Sequence, residues 1–100
     1  MKDRIIKNEE RFDNTICCIK ELKSSLEKFK SNKRNLSLLK KYYGSKNWFN
    51  DKEAFEANLI SNIKAGVLSE DGVWNMLDEL DELINDMKNI VLEYEGDNNE

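Results

Sequence analysis

Residues 2–43 contain neither proline nor glycine; the first glycine of the chain is Gly44. A stretch that long without a breaker is suited to continuous helix, with Gly44 as its stop. Setting Ile5 at heptad position a also puts Phe12, Ile19 and Leu26 at a, and Leu22, Phe29, Leu36 and Tyr43 at d. This spacing predicts a coiled-coil seam with polar lapses at Asn8, Thr15 and Lys33. The weakest part is Ser31-Asn32-Lys33-Arg34-Asn35, where helix propensity is low. Phe29, Leu36 and Tyr43 hold the seven-residue phase across it, so one helix over about 2–43 is expected.

A second repeat occupies the C-terminal part. Ser69 suits an N-cap, and Glu70 and Asp71 suit the positive end of a helix dipole. Val73, Leu80, Met87 and Tyr94 fall at a, and Met76, Leu83 and Ile90 at d, so a helix is expected over about 70–94 with a frayed tail over 95–100. Leu77, Ile84 and Val91 add an apolar stripe at e. Between the repeats, Ser45 suits the cap of a short helix starting at Lys46, whose apolar side is Trp48, Phe49 and Phe55. Residues 57–68 read as a connector with one helical turn around Ser61–Ala65, ended by Gly66 in a left-handed conformation.

One domain over 1–100 fits a 100-residue chain. The expected architecture is all-α: an antiparallel helical hairpin with a long first helix, a shorter last helix, a short helical insert over 45–68 and coiled-coil-like packing. The first helix would be roughly 60 Å long and the last roughly 37 Å. The insert must therefore cover the far end of the first helix, and Trp48 is expected to bury its ring there. With Tyr94 beside Ile5, the register sets Phe12 by Met87, Ile19 by Leu80 and Leu26 by Val73. It also sets Arg4 opposite Glu93 and Arg11 opposite Asp86.

Charge divides along the chain. Residues 1–46 carry 13 basic and 6 acidic side chains, a net of +7, and residues 47–100 carry 3 and 14, a net of -11. Helical halves that pack together would neutralise one another. Asp78, Glu79, Asp81, Glu82 and Asp86 fall at outer positions b, c, f and g, where water denies them the concave, partly dry site that a catalytic carboxylate pair needs. The lysines of the first helix are spread around it and the net charge is -4, which argues against nucleic acid as a partner.

Several function classes lose their chemistry here. There is no histidine, and the two cysteines, Cys17 and Cys18, are adjacent. They form neither a disulfide framework, a four-ligand zinc site nor a C-x-x-C pair. No nucleophile–base set, phosphate loop or metal-ligand spacing is visible, so no catalytic, cofactor-binding or metal-binding residue is expected, and the chain is not expected to be an enzyme. No apolar run approaches the roughly 18–20 residues of a membrane span. The start, MKDRIIKNEERFD, is charged where a signal peptide is apolar, so a cytoplasmic, reducing location without membrane contact is expected.

Tyr42-Tyr43-Gly44-Ser45 with Trp48 and Asp51, followed by Gly66-Val67-Leu68-Ser69-Glu70-Asp71 ahead of a helix, resembles domain-of-unknown-function family 4298. The resemblance covers nearly the whole chain. It implies a short, mostly helical bacterial protein and implies no activity.

The expected function is a non-catalytic protein–protein interaction or structural module with an unidentified protein partner. Trp74, at outward-facing b, is the candidate anchor. Leu77, Ile84 and Val91 form a stripe that a homodimer would bury. Asp78, Asp81 and Glu82 would suit a basic partner. The alternative is an acidic inhibitor that occupies a basic nucleic-acid-binding surface of a partner protein.

Overall fold

The computed structural model describes residues 1–98. The fold is all-α, as the two repeats lead one to expect, and no strand occurs among the described residues. Four helices follow in order: α1 (Lys2–Ser31), α2 (Lys33–Tyr42), α3 (Lys46–Glu56) and α4 (Gly72–Asn98), with a 3₁₀ turn at Gly66–Leu68 ahead of α4. Two compact units are formed, one over Met1–Lys40 and one from Lys41 onward.

In the first unit, the helix expected over 2–43 divides at one residue, Asn32, and α2 ends at Tyr42. Asn32 keeps right-handed geometry, with φ -89° and ψ -3°. Its N–H still reaches the carbonyls of Lys28 and Phe29, both at 3.1 Å, and its own carbonyl accepts from Leu36 N–H at 3.1 Å. The low-propensity segment therefore tightens the helix locally instead of forming a loop. The amide oxygen of Asn32 also accepts from Asn35 Nδ2 at 3.1 Å, the kind of local bond that makes asparagine a poor interior residue.

None of the α1 side chains is buried. Ile5, Phe12, Ile19, Leu22, Leu26 and Phe29 are between 40% and 61% exposed, so the apolar seam of α1 is open to solvent. Two polar residues interrupting it are satisfied within the helix. Asn8 Nδ2 donates to the Arg4 carbonyl at 2.8 Å and Thr15 Oγ1 to the Arg11 carbonyl at 2.7 Å.

The second unit holds the buried residues: Trp48, Leu68 and Val73. Gly44 has φ +77° and breaks the chain direction after α2, as its position led one to expect. Ser45 then caps α3, its Oγ accepting from Trp48 N–H at 3.2 Å. The end of α3 is a Schellman motif. Asn58, at φ 59°, donates its N–H to the Phe55 carbonyl at 3.1 Å, and Leu59 N–H reaches the Ala54 carbonyl at 3.0 Å.

The connector corrects the sequence expectation. The helical turn lies at Gly66–Leu68, not around Ser61–Ala65, and Gly66 opens it instead of closing it. The left-handed positions are taken by Asn58 and Asn62, since asparagine tolerates that region better than other residues with a side chain. Ser69 does cap, accepting from Gly72 N–H at 3.0 Å, but α4 starts at Gly72. At the other end α4 continues through Glu95, Gly96, Asp97 and Asn98, where fraying was expected. Asn99 and Glu100 lie outside the described residues.

Asn32→Pro tests whether α1 and α2 act as one helix. It removes the N–H that reaches Lys28 and Phe29 and should cost about 3 kcal/mol or more, read as lost helical ellipticity and a lower Tm. A variant with unchanged ellipticity and Tm would identify residues 29–36 as a free hinge.

Candidate functional site

The two sequence motifs that carry the family resemblance meet in one aromatic corner. Ser45 starts α3 so that Trp48 falls on its inner side, where the indole is 4% exposed. The indole Nε1–H donates to the carbonyl of Val67, in the 3₁₀ turn, at 2.9 Å. Its ring meets Tyr43 edge-on, with centroids 5.2 Å apart, and Phe49 at 4.9 Å. These are favourable aromatic geometries. Burial of Trp48 beside Tyr43 agrees with the expectation from sequence. Phe49 was expected inside and is instead exposed, meeting the indole only with its edge.

The 3₁₀ turn is held by a compact ring of polar atoms. Ser69 Oγ donates to the Gly66 carbonyl at 2.9 Å while accepting from Gly72 N–H. A Cβ on Gly72 would lie 2.5 Å from Ser69 Oγ and 2.9 Å from the Gly66 carbonyl oxygen. Glycine is therefore required at 72 by a close approach.

Glu70 ties the turn back to both motifs. Its backbone carbonyl accepts from Tyr43 OH at 3.1 Å, and its carboxylate pairs with Lys52 Nζ at 2.8 Å. Lys52 also approaches Glu56 at 3.8 Å and lies 5.4 Å from the Trp48 ring centroid. Its hydrogen bond to Glu70 raises the Lys52 pKa, partly opposed by desolvation, and the same bond lowers that of the Glu70 carboxyl. Nearby, Tyr42 OH donates to Asp51 Oδ2 at 2.6 Å; that bond, then desolvation and the Asp51 charge, raises the Tyr42 pKa. Tyr42 and Asp51 border an open cleft of about 320 Å³, lined also by Phe55, Ile60, Ile63 and Lys64.

The residues named from sequence as partner-binding lie along α4. Trp74 is 59% exposed. Asp78, Asp81, Glu82 and Val91 are exposed, and Leu77 and Ile84 are half-buried. Cys17 and Cys18 are exposed free thiols, with Cys17 Sγ 3.7 Å from Glu21 Oε1. Among the described residues no group of three or more His, Cys, Asp or Glu side chains is placed to hold a metal ion. None of their helices is long and apolar enough to cross a membrane.

Helical caps, an aromatic plug and backbone-directed bonds define a small all-α protein built around a tight corner. Residues 5–90 match the family described as Domain of unknown function (DUF4298), and the chain belongs to that family. No curated protein and no solved structure matches the chain.

Sequence reasoning missed Lys52, Gly72 and Asn58. Neither Lys52 nor Gly72 belongs to an apolar repeat or to a cap. Only the spacing Gly66-x-x-Ser69-x-x-Gly72 carries a signal, because it repeats one contact type every three residues.

Trp48→Ala should cost about 3–5 kcal/mol in chemical denaturation. Trp48→Phe should cost less, keeping most of the packing but leaving the Val67 carbonyl without its donor. Equal stability of all three proteins would show that the corner is not held by the indole.

The ionisable contacts give a two-sided pH dependence. Glu70 contributes stability at pH above its ordinary range, lost as pH falls through its lowered pKa. Lys52 and Tyr42 contribute below their ordinary values, about 10.4 and about 10, and lose it as pH rises through their raised ones. The three tyrosines, Tyr42, Tyr43 and Tyr94, share one tyrosinate absorbance signal, and its latest-rising step should disappear in Tyr42→Phe while the rest of the signal stays. Persistence of that step would refute the Tyr42–Asp51 assignment.

Proposed function

We propose that the chain is a non-catalytic protein–protein interaction module whose main binding surface is the open seam of α1. The observation that supports this most directly is that Ile5, Phe12, Ile19, Leu22, Leu26 and Phe29 stand exposed on one helix. Apolar patches of that extent mark interaction surfaces on soluble proteins. A helix in water draws most of its stability from packing its apolar face, so a 30-residue helix with no buried residue calls for a covering partner.

On this reading the aromatic corner is scaffold. Each motif residue there has a local structural task, and the polar groups Tyr42, Asp51, Lys52 and Glu70 are paired with one another. Trp74 and Val91 on α4, with Asp78, Asp81 and Glu82 beside them, offer a second contact zone with an exposed aromatic anchor. The exposed free thiols Cys17 and Cys18 fit a reducing cytoplasmic location.

The test is a tagged full-length chain used as bait in host extract, beside Leu22→Glu. The native bait should retain a protein that Leu22→Glu loses by at least tenfold, with unchanged Trp48 fluorescence in both baits. Identical recovery from both baits would exclude the α1 seam, and turnover in a broad substrate screen would overturn the non-catalytic reading. Recovery of a nucleic-acid-processing enzyme through Asp78, Asp81 and Glu82 would replace it with the inhibitor reading.

A further inference from the structure

Two helices of this chain present apolar stripes to solvent: α1 through Ile5, Phe12, Ile19 and Leu22, and α4 through Leu83, Met87, Ile90 and Tyr94. Resting on the interaction reading above, we propose that the occupant of the α1 seam is α4 of a second copy of this chain. The pairing is reciprocal, and α1 of one copy lies antiparallel along α4 of the other.

Three observations favour this occupant. The stripes match in period, and the α4 stripe is long enough to cover about three quarters of the α1 stripe. Both repeat every seven residues, and they run for about 36 Å from Ile5 to Phe29 and about 27 Å from Met76 to Tyr94. The charges complement one another. α1 carries 8 basic and 6 acidic side chains, a net of +2, and α4 carries 1 and 8, a net of -7, so α1 against α4 attracts, whereas α4 against α4 sets like charges together. In the antiparallel sense Arg4 and Arg11 of one copy come opposite Glu93 and Asp86 of the other. Finally, the polar residues within the α1 stripe already bond their own helix, Thr15 with its hydroxyl proton and Asn8 with one amide N–H, which lowers the cost of covering them. Reciprocal pairing uses the same two surfaces on each copy and closes as a two-fold dimer, with no stripe left to propagate a chain of copies.

Cysteine cross-linking combined with sedimentation equilibrium tests the proposal on the full chain. Phe12→Cys and Met87→Cys are made separately, each with Cys17→Ser and Cys18→Ser. At tens of micromolar the native chain should sediment as a dimer, and Leu83→Glu, at an exposed position, should weaken association at least tenfold. Mixing the two cysteine variants should give a disulfide-linked dimer that neither gives alone, and added salt should weaken association. Cross-linking of Phe12→Cys with itself would overturn the proposal in favour of α1–α1 pairing. A monomer that still retains a host protein through Leu22 would overturn self-pairing and leave the interaction reading standing. A monomer in which the double variant Phe12→Cys/Met87→Cys closes a disulfide within one chain would overturn both.

Discussion

The hydrogen bond from Trp48 Nε1 to the Val67 carbonyl is the contact on which the second unit depends. Burying an indole removes a large apolar surface from water, but its N–H must find an acceptor or the gain is partly cancelled. Val67 offers its carbonyl because the chain from Gly66 to Leu68 turns as a 3₁₀ segment. That turn in turn relies on Ser69, whose hydroxyl joins the Gly66 carbonyl to the first N–H of α4. The indole thus ties α3 to the turn that precedes α4.

The first unit follows a different rule. It has regular backbone bonding and no buried side chain, so its order rests on local helix propensity. From Lys41 onward, the chain spends Tyr42, Tyr43 and Trp48 on internal contacts. Along α1, it keeps its isoleucines, leucines and phenylalanines at the surface.

Much of this was legible in the amino-acid order, for identifiable reasons. Gly44, Ser45 and Ser69 act through intrinsic backbone preference or a bond three residues away, and such effects travel with the local sequence. Trp48 was legible because Ser45 starts α3 and puts Trp48 in its first turn, close to the aromatic pair Tyr42-Tyr43. The connector was misread because asparagine competes with glycine for left-handed positions, and Asn58 and Asn62 took them. The extension of α4 past Gly96 was missed because a lone glycine weakens a helix by only about 1 kcal/mol relative to alanine, too little to stop it. Lys52 with Glu70 and Tyr43 with the Glu70 carbonyl span 18 and 27 residues, and no periodicity announces pairs so far apart. The candidate surface was legible as a pattern, since the heptads name the residues on each stripe, but its exposure on α1 is a tertiary property that a pattern alone does not carry.

Gly72 has a consequence for how variation in this family is read. It lies at the surface, yet a methyl group there would press on Ser69 Oγ and on the Gly66 oxygen. A deep mutational scan would therefore score an exposed position as intolerant, which is the usual signature of a ligand contact. Here the intolerance arises beneath the residue, from the ring of polar atoms that starts α4, and it would persist in a variant that binds nothing at all.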